Sequence, residues 1–441
     1  MKKTNSSSDS LGIKEITAVS LMLFAMFFGA GNMIFPPTLG AAAGENVFAA
    51  LIGFVFGDAG LAILAIAAVS LVGSNINDLG NLVGKKFSAV FALCVYLLIG
   101  PLFALPRTAT VSFEIAVVPF LNGASKVIPS LIFTAVFFLL AYYLSKNPGR
   151  IVQIVGKILT PLLLFAIALI FITAVLNPYG DIGAATGNYA KHAFFAGFLD
   201  GYNALDGPAG LAFAAVVIIS IRNLGVKSEK AIAKYTIISG FFAGAILAVV
   251  YFTLAYLGAH SGALGTFANG GQMLNAIAQT TTGLLGVILL SVAVYLACLT
   301  TAIGLITAFG EYISTTYPRI SYHATILVAT LFSFAIANVG LSTLIQFSLP
   351  VLLIIYPVTI VVCVQAFFYK FVGSRKGFYW LGLLLTFIVS VVHSLDGMNI
   401  TLGALTAFIT KLPFYDMGIA WLLPALIGSV LGLLIPVKEK N

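Results

Sequence analysis

Apolar residues run along this chain in long blocks, without the strict alternation of a half-buried strand. Twelve blocks stand out, at 14–43, 46–72, 87–118, 129–145, 151–176, 193–221, 231–258, 284–313, 322–338, 342–369, 378–395 and 415–436. Each reaches the roughly 17 residues or more that let a helix cross the hydrocarbon core of a bilayer. Short polar connections separate them and leave no room for a separate soluble domain. The pattern predicts an all-α polytopic membrane protein with twelve transmembrane helices.

Two blocks depart from the rest. The first contains Phe28-Gly29-Ala30-Gly31-Asn32 and then Pro36-Pro37, halfway along an otherwise apolar run. The sixth holds four glycines, a proline and two aspartates within 195–210. Gly and Pro weaken a helix by about 1 and 3 kcal/mol respectively. Unpaired backbone groups at membrane depth are tolerated only where they line a cavity. Helices 1 and 6 are therefore predicted to be broken near the membrane midplane. Those places correspond if the chain is two five-helix halves of opposite orientation followed by two extra helices, and matched breaks of this kind point to a midplane transport site. The expected division is a cytoplasmic tail at 1–12, a first repeat at 13–180, an inverted second repeat at 181–370, and two further helices with a short cytoplasmic C-terminus at 371–441.

Composition sharpens this picture. Sixty per cent of the residues are hydrophobic and only 8% charged, against roughly a quarter charged in a soluble domain. The net charge of +8 does not indicate a nucleic-acid partner, because the basic residues sit singly or in pairs between apolar blocks. With the N-terminus inside, eighteen Lys and Arg fall on inner segments and three (Lys126, Lys191, Lys411) on outer ones. That asymmetry is the positive-inside signature of a cytoplasmic face and supports the count of twelve independently. Met1-Lys2-Lys3 resembles the start of a signal peptide, but a polar stretch through Ser10 follows, so the first block is expected to be retained. Cys94, Cys298 and Cys363 lie singly in apolar blocks and read as buried small side chains.

A broken helix exposes two kinds of group. The start of its second half offers free N–H groups that suit a carboxylate; the end of its first half offers carbonyl oxygens that suit a small cation. At the first break, Ala30 and Gly31, flanked by Gly29 and Asn32, are placed to meet a substrate carboxylate. The carbonyls of Ala25, Phe27 or Phe28 and the Asn32 side chain are placed to meet a cation. In the eighth block, the run from Ala297 to Leu305 sets Thr300 and Thr301 together in an apolar helix, and such neutral oxygens suit a monovalent hard cation. Their hydroxyls can instead bond back to their own helix.

Intramembrane charges are functional candidates. Asp206, at the second break, could pair with a substrate ammonium, ligate a cation or accept a proton. Asp200 lies nearer the outer end, and Asp58 in the second block is expected to be paired or to face a wet gap. Arg107 and Glu114 are seven residues apart, too far for a direct helical pair, so each seeks another partner, as in a gate. Glu311 closes the eighth block as a surface residue. Phe103, Phe198 and Tyr202 are candidate walls for an apolar side-chain pocket.

Phe28–Pro37, the fifteen residues Gly100–Glu114, and Cys298–Leu305 together resemble the bacterial branched-chain amino acid:cation symporters, the BrnQ-type carriers, and the resemblance spans nearly the whole chain. It implies uptake of leucine, isoleucine and valine across the bacterial inner membrane, coupled to Na⁺ or to H⁺, with no organic cofactor. Gly29-Ala30-Gly31-Asn32 followed by Phe35-Pro36 is also similar to the unwound stretch of LeuT-fold sodium symporters. That likeness implies one sodium site from the Ala25 and Phe28 carbonyls with Thr300 and Thr301, and another involving the Phe27 carbonyl and Asn32. The family run Gly-Tyr-x-Thr-Met-Asp reads Gly201-Tyr202-Asn203-Ala204-Leu205-Asp206 here: the aspartate stays and the threonine hydroxyl is gone.

Other classes fit less well. The nearest approach to a phosphate-cradling loop, Gly80–Lys86, is one residue short and lacks the Ser/Thr after lysine. His192, His260, His323 and His393 are isolated, and neither H-E-x-x-H nor G-x-S-x-G occurs, so an enzyme is not indicated. An ion channel also uses broken helices, but a channel filter repeats one short segment around a ring, whereas this chain pairs two unlike breaks with an acid.

Overall fold

A computed structural model describes residues 10–121, 123–146, 160–373 and 375–435. Most of the expected 1–12 tail, the start of the fifth block, and the charges Lys2, Lys3, Arg150, Lys157, Lys438 and Lys440 lie outside the described residues.

Helices account for the regular structure among the described residues, with no strand. In chain order the main ones are α1 (Ile13–Phe27), α2 (Ala30–Ala43), α3 (Val47–Val55), α4 (Leu61–Val72), α5 (Ile76–Gly80), α6 (Lys85–Leu97), α7 (Ala104–Ala116), α8 (Val127–Ser145) and α9 (Thr160–Leu176). They continue with α10 (Asn188–Gly201), α11 (Asp206–Asn223), α12 (Glu229–Ala259), α13 (Gly270–Thr316), α14 (Tyr322–Ala337), α15 (Leu341–Phe367), α16 (Lys376–Gly397) and α17 (Leu422–Gly432). Seven helical stretches among the described residues are long and apolar enough to cross a membrane, and an eighth is the bent pair α10–α11. Leu164–Leu176, Tyr322–Ala337 and Leu422–Gly432 are apolar but shorter.

Both predicted breaks are present. The first separates α1 from α2, and the second separates α10 from α11 with a bend of 49°. The centre of the molecule is built from these four half-helices: α2 packs on α12 and α13, α10 on α3, and α11 on α4. Large apolar side chains such as Phe24, Phe28, Phe54 and Phe213 are fully buried there, whereas Phe48, Leu139, Phe241 and Val328 on the periphery are exposed. A membrane protein shows that inversion because lipid, unlike water, accepts an apolar exterior.

Three departures from the expected helices bear on the site. The third block is not one helix: a π-turn at Leu98–Leu102, in which Gly100 has non-helical φ −86° and ψ −121°, separates α6 from α7. Pro101 lacks the N–H that would continue the ladder, and Pro106 falls in the first turn of α7, where a proline is tolerated. The second block also carries a π-turn, Phe56–Gly60, with Asp58 inside it. The eighth block starts where expected, after a kink at Gly283, whose φ of 65° admits glycine most easily, but an unexpected helical stretch from Gly270 leads into it.

Candidate functional site

At the first break the helical ladder ends when the Phe28 N–H donates to Phe24 O at 2.7 Å. Gly29 is extended (φ −134°, ψ −151°), and its N–H turns aside to the Asn32 Oδ1 at 3.1 Å. The last carbonyls of α1 are therefore left without helical donors, and Ala30 and Gly31, as the first residues of α2, have N–H groups without helical acceptors. The Thr301 hydroxyl of α13 lies 3.3 Å from Phe28 O and 3.5 Å from Met26 O. One hydroxyl proton cannot serve two carbonyls, so the corner is richer in oxygen than in donors. Thr300 differs from its neighbour: its hydroxyl bonds back to Ala297 O at 2.8 Å. The close approach of α13 depends on Gly29, where a Cβ would stand 2.8 Å from Thr301 Oγ1.

At the second break, α10 runs into a short turn at Tyr202–Ala204, and Leu205 adopts the left-handed conformation (φ 76°, ψ 8°) before α11 starts at Asp206. A non-glycine residue held there costs roughly 1–2 kcal/mol, which the surrounding packing must sustain. The two breaks touch: a Cβ on Gly31 would lie 2.8 Å from the Ala204 Cα.

Their polar side chains interlock. Asn32 Nδ2 donates to Asp206 Oδ2 at 2.7 Å and to the Tyr251 hydroxyl at 2.5 Å. Tyr251 in turn donates to Asp58 Oδ2. Asn32, Asp58 and Asp206 are 1%, 0% and 3% exposed, so α2, the π-turn of the second block, α11 and α12 meet through one buried network. Asp58 Oδ1 has no hydrogen-bond partner among the described residues.

Arg107 of α7 reaches the same place from the other side. Its Nη1 donates to Asn203 O at 2.5 Å and its Nη2 to Ser348 Oγ at 2.8 Å, and its Cζ lies 5.5 Å from the centre of the Phe35 ring. Glu114 instead faces Lys126 at 3.5 Å, so the two charges of α7 do take separate partners.

Between the breaks lies a cavity of about 30 Å³, room for about two water molecules. Gly29, Ala30, Gly31, Asn32, Asp206, Phe27 and Thr301 line it. Ala25, Phe28, Ala297 and Thr300 are buried just outside that lining. Phe103, Phe198 and Tyr202, expected as walls, are not part of it: Tyr202 stacks on Tyr356 at 4.2 Å, Phe198 packs against Tyr202, and Phe103 is half-buried at the start of α7. Met26, Phe213 and Leu305 supply apolar lining, with Arg107 and Thr108. Phe213 is seven residues after Asp206 and thus on the same face of α11, a spacing that marks it in the sequence. Tyr251 carries no such mark. Asp200, near the outer end of α10, accepts from the Tyr189 hydroxyl and does not line the cavity.

The chain matches the family of the branched-chain amino acid transport protein over residues 13–439. It is 42% identical over 439 residues to the branched-chain amino acid permease BraB of Bacillus subtilis, covering 98% of this chain and 99% of that one. It is 41% identical over 418 residues to the branched-chain amino acid transport system 2 carrier protein of Pseudomonas aeruginosa, covering 95% of each. Among solved structures it is similar to Mhp1, a nucleobase-cation-symport-1 family transporter in a closed conformation, with a TM-score of 0.63, 13% identity, and coverage of 95% of this chain and 91% of that chain. A Na⁺-coupled sialic acid symporter in a substrate-bound outward-open state is similar too (TM-score 0.57, 14% identity, 95% of this chain and 90% of that chain). At such identities these structures speak for the fold alone. Its full-length relatives are a permease and a transport carrier, which marks a transporter rather than an enzyme, and the chain belongs to the branched-chain amino acid transport protein family.

Proposed function

We propose that this protein imports leucine, isoleucine and valine across the bacterial inner membrane in symport with Na⁺ by alternating access. In this reading twelve spans form two inverted five-helix halves (13–180 and 181–370) and two added helices, with both termini cytoplasmic. The observation that carries it is the oxygen-rich corner where Thr301 faces the unwound end of α1, beside the cavity lined by Asp206. Na⁺ sits among the carbonyls of Ala25, Phe28 and Ala297 and the hydroxyls of Thr300 and Thr301, while the Phe27 carbonyl and the Asn32 side chain contribute to a second cation site. Thr300 joins by turning from Ala297 O. The amino acid places its carboxylate at the Ala30 and Gly31 N–H groups and its ammonium at Asp206, with Met26, Phe27, Phe213 and Leu305 around its side chain.

Formal charge supports a cation partner. Two buried carboxyls, Asp58 and Asp206, stand against one buried guanidinium, Arg107; with both carboxyls ionised the sum is −1, a zwitterion adds nothing, and one monovalent cation brings it to zero. Desolvated charge must be matched in this way. The small cavity supports alternating access, because an amino acid enters only when the four half-helices part from the helices around them. A second reading, H⁺ symport, draws on the Tyr251 hydroxyl that links Asp58 to Asp206: a proton held by that pair neutralises the centre as well as Na⁺ does.

Reconstitution in liposomes with Na⁺ and H⁺ gradients imposed separately tests this. Labelled leucine is expected to accumulate saturably under an inward Na⁺ gradient, with isoleucine and valine competing. Accumulation driven by H⁺ and indifferent to Na⁺ would replace the first reading by the second. Single-channel current would overturn both.

A further inference from the structure

We infer that Arg107 is the counter-ion of the substrate carboxylate. The inference rests on the amino-acid symport reading above and assigns one more group to its substrate site. Arg107 is 1% exposed, and a guanidinium so deeply buried without a matching negative charge is strongly disfavoured. Its partners are neutral: a backbone carbonyl, a serine hydroxyl and the Phe35 ring. The ion pairs among the described residues join Lys126 to Glu114 and Arg222 to Glu229, and neither involves Arg107. A guanidinium carries five N–H donors in a rigid fork; two are spent on Asn203 and Ser348, and the Nε–H is buried with no partner. The side chain lines the cavity that Asp206 lines, so one small space presents a cation from α7 and an anion from α11.

That pair of charges complements a zwitterion. The ammonium meets Asp206; one carboxylate oxygen takes the free N–H groups at the start of α2, and the other accepts the remaining N–H donors of the Arg107 guanidinium. Because Arg107 also holds the Asn203 carbonyl in the turn of the second break, the carboxylate becomes a bridge between the two broken helices. A substrate without a negative charge leaves the guanidinium unmatched and is rejected for that reason.

The test compares leucine with leucinamide, which keeps the ammonium and the side chain and loses the negative charge, on purified full-length protein in Na⁺-containing buffer. In the wild type, leucine is expected to bind about 100-fold more tightly than leucinamide. Arg107→Gln is expected to weaken leucine by about 100-fold and to leave leucinamide within about threefold, so that the preference disappears. Arg107→Lys, which keeps the charge without the fork, is expected to fall between them. Unchanged leucine affinity in Arg107→Gln overturns the assignment. So does an equal loss of leucine and leucinamide in both variants, since a merely structural arginine would act that way. A wild type that binds no leucine in Na⁺ sinks the symport reading itself, which separates the two failures.

Discussion

Exchanging Asp206 for asparagine is expected to cut Na⁺-driven leucine uptake by about two orders of magnitude. The substitution keeps the volume of the side chain, and the new amide oxygen can still accept the Asn32 Nδ2 hydrogen that Asp206 accepts at 2.7 Å. What it removes is a carboxyl able to carry the charge that meets an ammonium at the wall of the cavity. Truncating one partner of a buried, hydrogen-bonded charge pair costs about 2–5 kcal/mol, and each 1.4 kcal/mol is about tenfold in an equilibrium constant. Asp58→Asn provides the contrast. Asp58 does not line the cavity and meets it through Tyr251 and Asp206, so its loss disturbs the network without touching substrate and is expected to cost less than about tenfold. Initial uptake rates over a range of leucine concentrations check this, the Asp206 variant showing a raised KM. Wild-type uptake by Asp206→Asn would remove the charge-pairing role from that residue.

The second large effect is expected at Thr301. Valine has the shape of threonine without the oxygen, so Thr301→Val leaves the packing against Gly29 intact and deletes one neutral ligand from the corner formed with Phe28 O and Met26 O. A hydrogen-bonding or ligating contact to a charged group contributes about 1.5–3 kcal/mol, equivalent to a rise of roughly 10–100-fold in the Na⁺ concentration that half-saturates uptake. The maximal rate at high Na⁺ is expected to recover. Thr300→Val is expected to shift the same curve less, because the Thr300 hydroxyl is already engaged with Ala297 O. Equal Na⁺ dependence in wild type and Thr301→Val would separate the threonine from the cation.

The two breaks were legible because the chemistry that makes them is local. Gly29, Gly31 and Asn32 in one apolar run, and Gly201, Asp206, Gly207 and Pro208 in another, weaken a helix wherever the chain later goes. The interruption at Leu98–Leu102 carries the same local mark in Gly100-Pro101, a glycine followed by a residue with no N–H for the ladder. Side-chain direction is another matter. Tyr202 opens the turn of the second break, as close to it as a wall residue should be, yet its ring turns to Tyr356 on α15, and Phe27 and Phe213 line the cavity instead. The network centred on Tyr251 joins residues 219, 193 and 45 positions apart, a closure that no short window contains. Arg107 could be flagged as a charge in need of a partner, but the Asn203 carbonyl lies 96 positions away. Thr300 and Thr301 look equivalent in sequence; the rotation of about 100° between neighbouring residues of α13 sends the first to its own helix and the second across to the break.

Linkage between ion and substrate tests most directly whether the two facing breaks form one shared site. Leucine affinity of the purified protein is measured across a Na⁺ titration at constant ionic strength, and Na⁺ affinity across a leucine titration. Sharing of the site is expected to appear as leucine binding at least about tenfold tighter in saturating Na⁺ than in its absence, with the same factor returned when leucine is the effector, as thermodynamic reciprocity demands. Leucine affinity that is identical with and without Na⁺ would place the ion and the amino acid at independent sites.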